Sequence, residues 1–297
     1  SDMKNRHLIV GVVLLLGIYL VYKGFTVFRE SLFWRAPDRI NVVVYGGNTY
    51  FYSLDVKSKQ HYYIPFASDL QVDVPGGYGT YRIGSLGKLG ALDGNERLIQ
   101  KTFSATTSSF VHYAFFPSSP DVIYNEELVE EIEKPRFMNL LTYESNATIL
   151  DRLYLAIHLR APQKDEFTRI AYRQIEDTVL GSKSFQSDTF VKRSIGLLFQ
   201  PTYRDEQKST QILFTQSRLT AERVSQVLEG NGIRVSDISL DMEKSSNCAV
   251  IYSDDTPPQT AIDIGHFFAC PLMAGKTDIY DILLVLGERE GEWEIAK

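Results

Sequence analysis

The feature that most constrains this chain is an uncharged apolar stretch close to its N-terminus. Residues 8–22 carry no charge, and eleven of these fifteen residues are Leu, Ile or Val. If Lys23 extends its amine towards the headgroups, the stretch reaches Phe28 and approaches the roughly 20 residues that a bilayer core requires. We therefore expect residues 8–28 to form a transmembrane anchor, preceded by a short tail at residues 1–7.

Two other interpretations of this stretch stay open, a cleaved signal peptide and a helix buried in a core. The sequence has no small-x-small cleavage pattern near the end of the stretch, and no polar face marks a helix that packs on a domain. An anchor is the favoured interpretation. The flanking charges, which are Lys4 and Arg6 on one side and Lys23, Arg29 and Arg35 on the other, do not decide its orientation.

The composition excludes several classes of function for the rest of the chain. A net charge of −6 and the lack of a basic recognition helix argue against a nucleic-acid partner. With two cysteines and five histidines a structural zinc cluster is excluded, and we predict no metal site. The chain is 44% hydrophobic, which is enough for a packed core.

Hydrophobic patterning predicts a mixed α+β fold after the anchor. Residues 40–45 and 49–54 have the composition of two strands joined by a Gly-Gly-Asn turn, and residues 75–79 (PGGYG) form a Gly-rich loop. Residues 209–290 have a β-α-β-β-α-β order, which suggests a small sandwich of ferredoxin-like type. Residues 163–208 form a connecting segment, and residues 291–297 form a tail.

Two series of motifs resemble a known family. The stretches TYFYSLDVKSK (49–59), IPFASDLQVDVPGGYG (64–79), YRIGSLGKLGAL (81–92) and HYAFF (112–116) resemble the catalytic domain of the LytR-CpsA-Psr family. The stretches LTAERVSQVLEGNGIRV (219–235), CAVIY (248–252), TAIDIGHFFACPLM (260–273) and DILLVLGE (281–288) resemble the LytR C-terminal domain. The resemblance implies a divergent catalytic-type domain over residues 37–162 and a LytR C-terminal-like domain over residues 209–290.

The resemblance also implies a location and a chemistry. Members of the family are single-pass proteins of the bacterial cytoplasmic membrane, which would place residues 36–297 outside the cytoplasm. Active members attach glycopolymers from polyprenyl-pyrophosphate carriers to peptidoglycan. The implied partners are therefore the lipid bilayer, a polyprenyl-phosphate lipid and a cell-wall glycopolymer. Such chemistry needs arginines around the pyrophosphate, and Mg²⁺ held by carboxylates.

The sequence departs from the family at these charged positions. An Arg-x-Asp motif would fall on residues 45–48 (YGGN), where both charges are missing, and the arginine of an Ile-Pro-Arg-Asp turn is missing from residues 64–69. We therefore predict a non-catalytic or weakly active relative that binds or scaffolds wall glycopolymer or envelope partners. The alternative is an active transferase that uses Mg²⁺ and rebuilds its clamp from Arg82, Arg152 or Arg160.

The resemblance leaves five candidate ligand-binding residues and no assigned catalytic residue. Asp69 and Arg82 flank the Gly-rich loop, and the backbone amides of Gly76, Gly77 and Gly79 could assist in holding a phosphate or a sugar. The alternative is a surface turn with two solvated charges.

The two cysteines suggest a covalent link. Cys248 begins the third strand of the C-terminal part, and Cys270 follows its second helix, so these two ends should be neighbours. An oxidising exterior would permit a disulfide, which could stabilise the fold by about 3 kcal/mol, whereas two buried thiols are the alternative.

Overall fold

The computed structural model describes residues 2–124, 129–177, 181–243 and 245–295, with side chains from Leu14 onward except that of Asp177. Up to residue 206 the elements are α1 (Asp2–Glu30), α2 (Leu32–Arg35), β1 (Arg39–Val44), β2 (Thr49–Asp55), β3 (His61–Phe66), β4 (Leu70–Val74), β5 (Gly79–Arg82), α3 (Leu86–Asp93), α4 (Leu98–Thr107), β6 (Tyr113–Phe116), α5 (Phe137–Thr142), β7 (Glu144–Ser145), α6 (Ile149–His158), β8 (Phe167–Arg169), β9 (Gln174–Asp177), β10 (Ser182–Phe185), α7 (Ser187–Ser194) and α8 (Pro201–Glu206). The elements that follow are β11 (Ser209–Phe214), α9 (Arg218–Gly230), β12 (Arg234–Leu240), β13 (Ala249–Tyr252), α10 (Gln259–Phe268), β14 (Leu272–Ala274), β15 (Ile282–Val285) and a 3₁₀ helix, Gly287–Trp293. The architecture is mixed α/β, as predicted.

A six-stranded sheet with the order β7-β6-β1-β2-β3-β8 forms the centre of the first part. The predicted hairpin is confirmed, because β1 and β2 pair antiparallel with Val44 opposite Tyr50. Both strands are buried along their whole length. Since neighbouring side chains of a strand point to opposite faces, both faces of this sheet must be covered.

Different layers cover the two faces. Val43 and Phe51 point to one face, where they share a core with Phe103 of α4, and we call this the α4 face. Val42 and Tyr52 point to the other face, where they share a core that includes helix α6, and we call this the α6 face. The hairpin β4–β5, which carries the Gly-rich loop, packs into the core of the α4 face and belongs to a second sheet with the order β5-β4-β10-β9.

The C-terminal sheet corrects the ferredoxin-like prediction. Its order is β12-β11-β15-β13-β14, and the short strand β14 lies between α10 and β15 in the chain. In a ferredoxin-like sheet the two strands of each β-α-β unit are separated by another strand, but here β11 pairs directly with β12, and β13 pairs directly with β14, both in parallel. The apolar run of β15 takes the central position, where a strand is buried on both faces, and it separates the two units.

The predicted anchor lies within helix α1. Residues 8–13 of the anchor lie outside the part of the chain whose side chains are described, whereas most side chains from Leu14 to Phe28 are exposed. Within the described residues, no helix combines the length and the apolar character needed to cross a bilayer.

Cys248 and Cys270 form a disulfide, with their Cα atoms 5.3 Å apart. The bond joins the residue before β13 to the second residue after α10. Of the two alternatives that the sequence left open, the structure contains the disulfide.

Candidate functional site

The Gly-rich loop is the turn of the β4–β5 hairpin, and its amides already have a partner. Gly76 and Gly77 have φ values of +95° and +78°, which suit glycine. Both donate to the carbonyl oxygen of Glu294, at 2.7 Å and 2.9 Å. The C-terminal segment therefore occupies the position that a phosphate oxygen would take in such a loop.

Asp69 and Arg82 lie at the other end of the same hairpin. Val74 is paired with Gly79 next to the turn, whereas Gln71 is paired with Arg82. Three residues of a strand span roughly 10 Å, so the two charges and the turn do not form one compact site.

Each of these two charges has its own partner. The Asp69 carboxylate accepts from Lys183 Nζ at 2.6 Å, and the Arg82 guanidinium stands over the Tyr124 ring at 5.5 Å. A carboxylate that pairs with a lysine does not fit the role of a Mg²⁺ ligand. Within the described residues, no group of three or more His, Cys, Asp or Glu side chains is placed to hold a metal ion.

The arginines of the alternative transferase clamp are on opposite faces of the six-stranded sheet. Arg82 ends β5, which belongs to the sheet on the α4 face, whereas Arg152 and Arg160 lie on and just after α6. Arg152 Nη1 donates to the carbonyl oxygen of Tyr143 at 2.6 Å, and Arg160 Nη1 donates to that of Pro135 at 3.1 Å. These two arginines fix the ends of α5, and the three arginines do not converge on one pocket.

A polar cleft of about 820 Å³ lies on the α4 face, next to the Gly-rich loop. Its walls come from β4, α4, the β10–α7 junction, the first turns of α9 and the C-terminal segment. The charged residues that line it are Asp73, Asp188, Glu222, Arg223 and Glu294. Four carboxylates and one guanidinium line the cleft, and although Arg218 pairs with Glu222 at 2.9 Å, the balance of charge stays negative.

Arg223 is the positively charged residue among those that line this cleft. Its Nη1 atom is buried and has no hydrogen-bond partner among the described residues. Burial lowers the pKa of Arg223, while the charges of Asp73 and Asp188 act in the opposite direction. A guanidinium stays protonated in proteins, so Arg223 keeps its charge and an unused donor beside the cleft.

This arrangement suits a neutral ligand that is rich in hydroxyl groups. The carboxylates can accept hydrogen bonds from hydroxyls, and the Arg223 guanidinium can donate one to a ring or carbonyl oxygen. A pyrophosphate carries dense negative charge, and four carboxylates around one arginine would repel it.

Sequence reasoning missed the cleft. Its charged residues come from four separate segments of the chain, at residues 73, 188, 222–223 and 294, and no local motif joins them. Asp73 lies within a stretch that the family resemblance covers, but nothing in the pattern distinguishes it from a solvated residue of a strand.

The chain is similar to several solved protein structures. No family model matches the chain, and no curated protein matches it. Among solved structures it is similar to Bacillus subtilis TagU (10% identity, 52% of this chain and 93% of that one, TM-score 0.36). TagV of the same organism matches with 8% identity over 66% of this chain and 98% of that one, at a TM-score of 0.35. TagT matches with 11% identity over 52% of this chain and 87% of that one, at a TM-score of 0.34.

These three proteins belong to the LytR-CpsA-Psr family, which is the family that the sequence motifs resemble.

Proposed function

We propose that this chain is a membrane-anchored protein of the bacterial cell envelope that binds neutral wall glycan in the polar cleft and does not transfer it. Residues 8–28 are the anchor in this proposal, and residues 36–297 are extracytoplasmic. Residues 209–290 act as a LytR C-terminal-like domain whose helix α9 forms one wall of the cleft.

One observation carries the binding role. The cleft combines four carboxylates with the guanidinium of Arg223, whose buried Nη1 atom has no partner among the described residues, so we expect acceptors for sugar hydroxyls and a charged donor for a sugar oxygen. Two further observations favour binding over transfer, namely the carbonyl of Glu294 on the Gly-rich loop and the pairing of Asp69 with Lys183.

The test is a binding titration with the full chain in detergent micelles. The probes are a neutral N-acetylglucosamine oligosaccharide and a polyprenyl pyrophosphate, each with and without Mg²⁺. We expect saturable binding of the oligosaccharide alone. Arg223→Gln should weaken it at least tenfold, because a hydrogen bond to a charged group contributes about 1.5–3 kcal/mol.

Arg82→Gln is the matched control, because it removes the same charge from the position that the transferase alternative needs. It should leave oligosaccharide binding unchanged. Saturable binding of polyprenyl pyrophosphate that requires Mg²⁺ and is lost in Arg82→Gln would contradict the proposal and favour the transferase.

A further inference from the structure

The outward side of helix α6 carries an apolar line. Ile149, Leu153 and Ile157 are spaced four residues apart, so they follow one another along one side of the helix. Their side chains are 67%, 40% and 48% exposed, although three large aliphatic residues in a row are usually covered. The buried side of α6, with Tyr154 and Leu155, packs on the sheet.

Helix α5 widens this line into a surface. Arg152 binds the carbonyl of Tyr143 just after α5, and Lys134 Nζ donates to the carbonyl of Arg160 at 2.9 Å. The end of α5 therefore lies near the start of α6, and the two helices run antiparallel. Phe137 and Met138 of α5 are 41% and 60% exposed. We call Phe137, Met138, Ile149, Leu153 and Ile157 the α5–α6 surface.

Helix α2 connects this surface to the apolar helix α1. The amide of Leu32 donates to Asp151 Oδ1 of α6 at 2.8 Å, and the ring of Phe33 meets that of Tyr154 with centroids 5.1 Å apart. The ring of Trp34 packs on that of Phe28 of α1, with centroids 6.0 Å apart, and remains half exposed. Apolar side chains thus continue from α1 through Phe33 and Trp34 to α6.

Basic side chains stand at the end of the surface where α5 begins and α6 ends. Arg136 and Arg160 are exposed there, and Lys134 is partly exposed. Aromatic and aliphatic side chains beside arginines and lysines are typical of protein surfaces that lie in the headgroup region of a bilayer. Anionic lipids add roughly 1 kcal/mol for each basic residue near the membrane surface.

We propose that the α5–α6 surface rests in the headgroup region of the membrane that α1 enters, so that the α6 face of the sheet is turned to the lipid. This inference rests on the proposed anchor, because α1 determines which surface lies next to it. The polar cleft, on the opposite face of the sheet, is then directed away from the bilayer.

The experiment uses the full chain in vesicles of phosphatidylcholine and phosphatidylglycerol. Leu153→Cys places a single free thiol on the surface, because both native cysteines are in the disulfide. Leu219→Cys is the control, since Leu219 is 60% exposed and lies on α9, which packs against α4. Each thiol carries an environment-sensitive fluorophore, and spin-labelled lipids quench fluorophores close to the headgroups.

We expect both proteins to float with the vesicles and quenching at residue 153 to exceed that at residue 219 at least threefold. Flotation with equal quenching at the two positions, or with none, overturns the resting surface and leaves the anchor intact. Failure to float overturns the anchor and the surface together. Leu153→Glu combined with Ile157→Glu should abolish quenching of a fluorophore at Met138→Cys, with flotation unchanged.

Discussion

Helices α4 and α6 are both ten residues long and cover opposite faces of the same sheet, yet their surroundings are reversed. Nearly every residue of α4 is buried, including Gln100, Lys101 and Thr106. Helix α6 exposes Ile149, Leu153 and Ile157. The more polar helix is therefore buried on nearly all sides, whereas α6 buries one apolar side and leaves a second apolar line exposed.

The difference shows that tertiary partners, and not hydrophobicity alone, decide what is buried in this molecule. The polar groups of α4 are satisfied within the fold, for example by the bond from Gln100 Nε2 to the carbonyl of Val111 at 2.8 Å and by the ion pair of Lys101 with Glu292. The C-terminal part of the chain covers α4 through the contacts of α9 and Glu292. Helix α6 has no such cover within the described residues, and a lipid surface would supply one.

The largest expected effect comes from separating α4 from helix α9, which packs against it. A Cβ atom on Gly230, at the end of α9, would lie 1.7 Å from the carbonyl oxygen of Ser108, which follows α4. Gly230→Ala must therefore push the two helix ends apart and should lower the free energy of unfolding by about 3 kcal/mol or more. Gly46→Ala is the control in urea unfolding, since a Cβ there meets only one atom, at 3.9 Å. Equal stability of the two variants would contradict the tight contact.

The second prediction concerns the disulfide between Cys248 and Cys270 in the C-terminal part of the chain. Replacing both Cys248 and Cys270 with Ser removes a link across 22 residues and should lower the free energy of unfolding by about 3 kcal/mol. Calorimetry should then show a lower Tm for the C-terminal part. A variant as stable as the unsubstituted chain would mean that the link does not restrain the unfolded chain.

The third prediction is a pH dependence beside α4. Burial, together with the charge of Arg35, lowers the pKa of His112 to about 4, and its Nδ1 accepts from the amide of Asn41 at 3.0 Å. In the unfolded chain the pKa of His112 is near 6.5, so the unfolded chain binds the proton at a higher pH than the folded one does. The contribution of neutral His112 to the free energy of unfolding is therefore complete above about pH 6.5 and is lost as the pH falls towards 4.

At pH 5 the loss at His112 should amount to about 2 kcal/mol. His112→Asn keeps an acceptor for the Asn41 amide but does not titrate, so its stability should fall less between pH 7.5 and pH 5. Burial also lowers the pKa values of His61 and His158, and these groups contribute equally to both proteins. Parallel pH profiles for the two proteins would contradict the prediction.

The smallest effect tests the exposed side of α6. Leu153→Gln should change the free energy of unfolding by less than about 0.5 kcal/mol in detergent, because the side chain is already 40% exposed. Leu155→Ala, two residues along, should cost about 2–4 kcal/mol because Leu155 is fully buried. Similar losses in the two variants would mean that the two sides of α6 do not differ as the structure shows.

Local patterns predicted those parts of the fold that depend on neighbours in the chain. The β1–β2 hairpin follows from two β-rich runs around a Gly-Gly-Asn turn, and helices α9 and α10 follow from the β-α-β-β-α-β order of residues 209–290. The order of the C-terminal sheet could not be predicted, because the position of β15 depends on burial between distant strands. The polar cleft could not be predicted either, since Asp73, Asp188 and Arg223 meet only through the tertiary fold.

Hydrogen exchange on the full chain, measured with each of the two probes, tests the central claim most directly. If the polar cleft is the ligand site, the neutral oligosaccharide should slow exchange at residues 186–188 and 217–226, and polyprenyl pyrophosphate should leave residues 69–82 unchanged. Protection of residues 75–82 by polyprenyl pyrophosphate, with none at 217–226 by the oligosaccharide, would contradict it. In that case the Gly-rich loop would open from Glu294 and hold phosphate after all.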